Sequence, residues 1–272
     1  NEAGKCGTTG SHNVLLGIHA GKNSTTASYN VFLGDYAGHQ ATTSGCSIHI
    51  GRNAGRCSRA AHNVFLGRAA GSGSATPANN TGAYNVFVGY YAGKNITSGG
   101  YNVLFGFEAG LCSSDTSCNV AIGVFAAKCR NSYNGIFIGE NAGLGCNGAT
   151  GAGNIMLGQE AGKCSRTGAN NVIAGNCAAK CITTGGYNVI FGQSTGKTIT
   201  SGSQNIFLGR YAASSGTVTG NNNVILGCRA GNNLAGACYN TFVGMYAGCS
   251  FSGAGANNIA LGCMSLMELE TG

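Results

Sequence analysis

The sequence predicts an all-β protein, a parallel β-solenoid of about fifteen coils of roughly 17 residues, and three observations carry that expectation. A pentapeptide of Asn, three apolar residues and Gly recurs throughout, cleanest at 13–17, 30–34, 63–67, 85–89, 205–209 and 223–227. Its closing glycines fall at Gly17, Gly34, Gly51, Gly67, Gly89, Gly106, Gly123, Gly139, Gly158, Gly175, Gly192, Gly209, Gly227, Gly244 and Gly262, spaced by 16 to 22 residues. The composition, with 49 Gly, one Pro, no Trp and 8% charged residues, matches no ordinary globular enzyme and is too glycine-rich for helices. The array is read as continuous over 1–262, with 263–272 a degenerate C-terminal cap or truncated end. Ala3-Gly4-Lys5 matches Ala20-Gly21-Lys22, so the chain is expected to start inside a repeat, as a piece of something longer.

Each coil can be justified position by position. The apolar triplet, rich in Val, Ile, Leu and Phe between Asn and Gly, reads as a short strand. Its outer two side chains point one way and its middle one the other. One face fills the coil, and the other requires a second apolar surface, for which a neighbouring chain is the simplest source. Three or four residues after the glycine comes Ala-Gly, as in Ala20-Gly21 and Ala92-Gly93, where small residues let backbones approach. The next position is basic in Lys5, Lys22, Arg56, Lys94, Lys128, Lys163, Lys180 and Lys197, a column read as solvated. Pairs such as Thr25-Thr26 and Thr183-Thr184 mark the return turn. Stacked coils place each pentapeptide Asn over the next, so an internal amide ladder is expected. Tyr29, Tyr84 and Tyr101 before the Asn, and Tyr36, Tyr91 and Tyr211 after the Gly, are read as corner covers.

The chemistry-bearing residues are sparse. Fourteen cysteines exceed what a reducing compartment normally holds outside metal sites, and there is no Cys-x-x-Cys pair. Cys46 with Cys57, Cys118 with Cys129, and Cys238 with Cys249 lie 11 residues apart and are expected as disulfides. A second set, Cys112, Cys129, Cys146, Cys164 and Cys181, occupies nearly one corner in successive coils, which leaves the pairing of Cys129 open. The histidines His12, His19, His39, His49 and His62 occupy positions that stack no two of them as a metal pair. His49 takes the middle strand position, where three copies around an axis would be able to hold an ion; the alternative is a packed neutral imidazole. Asp35, Glu108, Glu140 and Glu160 fall in separate coils, whereas acid–base catalysis needs a pair in one cleft. No cofactor, metal or phosphate-loop motif appears, and the reading is of a protein that is not an enzyme. A net charge of +7 spread along the chain, without a basic run, argues against nucleic acid. No apolar stretch is long enough for membrane insertion. The sequons at Asn23, Asn79 and Asn95 are what chance gives in a chain so rich in Asn and Thr.

Phrases such as Tyr29-Asn30-Val31-Phe32-Leu33-Gly34-Asp35-Tyr36-Ala37-Gly38 run the whole length and resemble the Asn-x-x-x-Gly-x-x-Ala-Gly repeats of viral and phage tail-fibre proteins. They are also similar to the head repeats of trimeric autotransporter adhesins. The resemblance implies a trimer of parallel β-rolls or β-helices that projects from a surface and binds a host-surface glycan or matrix. It departs from the adhesin head in its longer repeat, its larger apolar residues and its cysteines. The expectation is therefore an extracellular or virion-surface fibre serving attachment or as a structural filament, its main partner being other copies of itself. Phe32, Phe65, Phe87, Phe137 and Phe207, the middle strand residues, are expected to form the interface of that homo-oligomer. An ice-binding β-solenoid is the alternative, weakened by Asp115, Gly148 and Arg166, which interrupt the Thr columns. A polysaccharide-acting β-helix is the enzymatic rival.

Overall fold

The computed structural model describes residues 2–73, 80–146, 148–251 and 255–266. Its fifteen strands are β1 (Val14–Leu16), β2 (Val31–Leu33), β3 (Ile48–Ile50), β4 (Val64–Leu66), β5 (Val86–Val88), β6 (Val103–Phe105), β7 (Val120–Ile122), β8 (Ile136–Ile138), β9 (Ile155–Leu157), β10 (Val172–Ala174), β11 (Val189–Phe191), β12 (Ile206–Leu208), β13 (Val224–Leu226), β14 (Thr241–Val243) and β15 (Ile259–Leu261). All are parallel, there is no helix among the described residues, and the fold is a β-solenoid with one strand per repeat. The chain forms two compact units, Asn1–Asn134 and Gly135–Gly272. In the first, β1 to β7 pair in chain order. In the second, β8 to β15 do the same. Of the cap segment read at 263–272, residues 267–272 lie outside the described residues; Met264 still donates its N–H to the Met245 carbonyl at 2.9 Å, as the array pattern requires.

The closing glycines are fixed by two constraints at once. They adopt φ of 110° to 144°, a region other residues avoid. A Cβ on Gly106 would also stand 2.3 Å from the Gly123 carbonyl oxygen of the next coil. The Ala-Gly pair then forms the wall opposite the strand. Ala92 is fully buried, and a Cβ on Gly93 would come within 2.4 Å of the Phe87 ring. The interior of a coil is therefore narrow. It admits one large side chain from the strand, the middle one, plus a second at a variable position seven residues after the glycine: Ile96, Ile182, Ile199, Leu234 or Phe251.

This geometry reverses the interface expected from the sequence. Phe32, Phe65, Phe87, Phe137 and Phe207 lie inside their own coils, at most 3% exposed, and are core rather than an oligomer contact. The outer two residues of each triplet face away from the coil. Two β-branched side chains per strand cannot fit against a wall of Ala and Gly, whereas one flat ring can stack on it.

The Asn ladder forms as expected. In the first unit Asn102 donates its Nδ2–H to Asn85 Oδ1 at 3.0 Å and to the Thr116 carbonyl at 2.7 Å, while its own Oδ1 accepts the backbone N–H of Asn119 at 3.1 Å. Ser47 substitutes in the third repeat, its N–H donating to Asn30 Oδ1 and its hydroxyl accepting from the Asn63 N–H. The second unit carries its own run from Asn154 to Asn258. Asn102→Ala removes two donors and an acceptor from a buried column. It is expected to destabilise the first unit by about 2–4 kcal/mol, read as a lower urea midpoint; an unchanged midpoint would show that the ladder is incidental.

Candidate interaction surfaces

The outward sheet face is the largest chemically uniform surface in each unit. None of the outward positions of the fifteen strands holds a charge, and Thr241 is the one polar residue among them. Leu16, Phe105, Phe191 and Leu261 on this face are each exposed by 42% or more. It is bordered by Tyr29, Tyr84 and Tyr101, which take left-handed φ near 60° and stand exposed at the corner before the strand. Their rings stack along the coils, Tyr84 on Tyr101 with centroids 4.9 Å apart, and His12 and His62 join the same columns against Tyr29 and Tyr84. The corner-cover role read for these aromatics agrees with that placement.

The basic column is largely neutralised, which the sequence reading did not anticipate. Glu160 pairs with Lys163 at 2.6 Å and Lys180 at 2.7 Å. Hydrogen bonds from Lys163 and then Lys180 hold its carboxyl down to about 2, and burial opposes them weakly. Glu108 pairs with Lys128 at 2.6 Å, and Glu2 with Lys5 and Lys22. Lys94 instead lies over the Tyr91 ring at 4.1 Å. The carboxylates read as exposed corner residues thus act as counter-ions to the neighbouring coil, and Glu140 accepts from Gln159 Nε2 at 3.0 Å. One positive concavity remains, a surface cavity of about 270 Å3 whose lining includes Arg56, Arg68, Tyr91 and Lys94 and no carboxylate among the described residues. It opens where the fourth coil carries Ser72 in place of the usual basic residue.

The return-turn threonines are committed to the stack. Thr25 and Thr26 both donate to the Thr42 carbonyl, at 3.3 and 3.2 Å, and Thr183 donates to the Thr200 carbonyl at 3.0 Å. Hydroxyls tied to neighbouring carbonyls have less freedom to order water. Among the described residues no group of three or more His, Cys, Asp or Glu is placed to hold a metal ion. His19 and His39 approach more closely than the sequence suggested, their rings edge to face at 6.1 Å. His49 faces the coil interior, sandwiched between Phe32 at 4.7 Å and Phe65 at 4.9 Å, so the axial ion site imagined for it is not formed. Burial drives its pKa down to about 3, and neither ring nitrogen has a partner.

All fourteen cysteines are free thiols. The three pairs separated by 11 residues are not joined, because the parallel ladder brings residue i beside about i+17 and not beside i+11. Cys57 is buried and donates to Gln40 Oε1 of the preceding coil at 3.3 Å, while Cys46 is exposed. Cys238 Sγ accepts the Asn221 N–H at 3.2 Å, and Cys249 meets Ser250 Oγ at 3.7 Å. Cys118 is exposed, and Cys129 turns toward Cys112. Cys146 and Cys164, the corner-column members, do meet each other. Comparison with protein-family models, with curated proteins and with solved structures gives no match to this chain.

Proposed function

We propose that the chain is the repeat shaft of a non-enzymatic fibre, extracellular or on a virion, serving attachment or as a structural filament. Several copies, three by analogy with the repeats it resembles, join through the outward faces of their strands. The observation that supports this reading is the charge-free outward face. In the first unit alone its seven strands leave on the order of 800 Å2 of apolar side chain exposed, above the few hundred Å2 that a monomer ordinarily tolerates and equal to one side of a standard protein interface. The period of the face also favours another copy as the partner, since a second solenoid presents the same strand-to-strand spacing. The cavity at Arg56, Arg68 and Lys94 offers a positive field to an acidic glycan on a host or matrix.

Sedimentation of the purified chain at micromolar concentration tests the assembly. An oligomer is expected, with elongated particles in negative-stain images. A soluble monomer that also fails to bind apolar dyes would sink the proposal, because the outward face would then have neither partner nor exposure.

A further inference from the structure

The thiols at one corner of the coil have a geometry that the fibre reading does not use. Cys112 and Cys129 stand six residues after Gly106 and Gly123, each in the first unit. Their separation of 17 residues equals the register between β6 and β7, in which Val103 pairs with Val120 and Phe105 with Ile122. The ladder continues to the corner itself, since Cys129 donates its N–H to the Leu111 carbonyl at 2.7 Å. Both cysteines adopt left-handed φ, 69° and 57°, so their Cα–Cβ bonds leave the backbone in the same sense. The two thiols are hydrogen-bonded to each other but not joined. Parallel neighbours lie about 4.8 Å apart, inside the 4.4–6.8 Å Cα range of disulfides. The arrangement occurs a second time, in the other unit, where Cys146 and Cys164 are hydrogen-bonded thiol to thiol at the corner following β8 and β9.

We propose that Cys112 with Cys129, and Cys146 with Cys164, are coil-to-coil redox staples, open in the reduced protein and closed to disulfides by thiol–disulfide exchange. The oxidant is an external disulfide, either oxidised glutathione or the disulfide of an oxidoreductase. Cys112 is the exposed member of its pair, and Cys129 is half-buried. The Cys112 thiolate attacks one sulfur of the external disulfide, forming a mixed disulfide and releasing the other sulfur as a thiolate. Cys129 then loses its proton and attacks Cys112 Sγ, expelling the second thiolate. Per staple, two thiols lose two protons and two electrons, and the external disulfide is reduced to two thiols. Burial, together with the Cys112 contact, pushes the Cys129 thiol up to about 11, which makes closure the slow, alkali-accelerated step.

The test uses the full chain, incubated with oxidised glutathione at pH 8, alkylated and digested with trypsin without reductant. Cleavage after Lys128, Arg130, Lys163 and Arg166 isolates Cys129 and Cys164 on the short peptides 129–130 and 164–166. Each is expected to be linked, 129–130 to the peptide 95–128 and 164–166 to the peptide 131–163. Because 95–128 also holds Cys118, the variants separate the possibilities. Cys112→Ser should abolish the link and Cys118→Ser should retain it, with circular dichroism showing both to be folded. Linkage of Cys129 to Cys118, or alkylation of Cys129 and Cys164 after oxidation has gone to completion at exposed thiols, would overturn the proposal.

Discussion

Replacing His49 by Phe is expected to stabilise the first unit, by about 2 kcal/mol near neutral pH and by about 2 kcal/mol more at pH 5. The neutral imidazole lies fully buried between Phe32 and Phe65 with both nitrogens unpartnered, so folding removes it from water with no compensating hydrogen bond. Phe fits the same space. A Cβ on Gly55 would stand 2.4 Å from the His49 ring, and one on Gly38 would stand 2.6 Å from the Phe32 ring, so the two coils present the same flat wall. The pH dependence follows from the depressed pKa. The unfolded chain binds a proton at His49 as pH falls through 6.5, whereas the folded chain does not until about 3. Stability contributed by the neutral folded form is therefore full above 6.5 and is lost progressively toward 3. Urea denaturation of both proteins at pH 7.5 and pH 5 measures the difference. Equal pH sensitivity in the two, or a less stable Phe variant, would show that His49 has a partner or a route to water in the folded state.

Much of the coil could be read from the residues, because repetition turns a weak local signal into a strict one. The strands lie at the pentapeptides, their register is parallel and sequential, and the Asn column is bonded as stacking demands. What failed was the sense of the strand. Alternation says that the middle residue opposes its neighbours, but not which side is the inside. The deciding signal was present three and four residues after each closing glycine. Buried Ala and Gly there leave a lumen only one ring deep, and a size match between the Ala-Gly pair and the middle Phe would have placed the Phe inside. The disulfide expectation failed for a related reason. An 11-residue offset recurs in the sequence, but contacts in a stack follow the coil period, which the Cys112, Cys129, Cys146, Cys164 set obeys and the other pairs do not. The ion pairs were hidden because Glu160 and Lys180 are 20 residues apart and meet only once the coil length is fixed.

The two faces of a strand should answer oppositely to the same mutation. Phe87→Asp places a carboxylate in a lumen where the ring is 1% exposed, and no cation lines that lumen. Losing the ring costs about 3–5 kcal/mol and burying the charge several more, so the first unit is expected to unfold. Phe105→Asp, one coil further on, alters a side chain that is 55% exposed and directed away from the core. Its cost to the fold is expected to stay within about 1 kcal/mol, while a charge in the centre of an apolar face opposes its own copy in every symmetric assembly. The Phe105 variant should thus keep its circular dichroism spectrum and sediment as a smaller species than the parent. Lys94→Ser, whose ammonium rests on Tyr91 at the far corner, should change neither. A Phe105 variant that assembles like the parent would remove the outward face from the interface. A folded Phe87 variant that fails only to assemble would return the middle residues to the contact between chains.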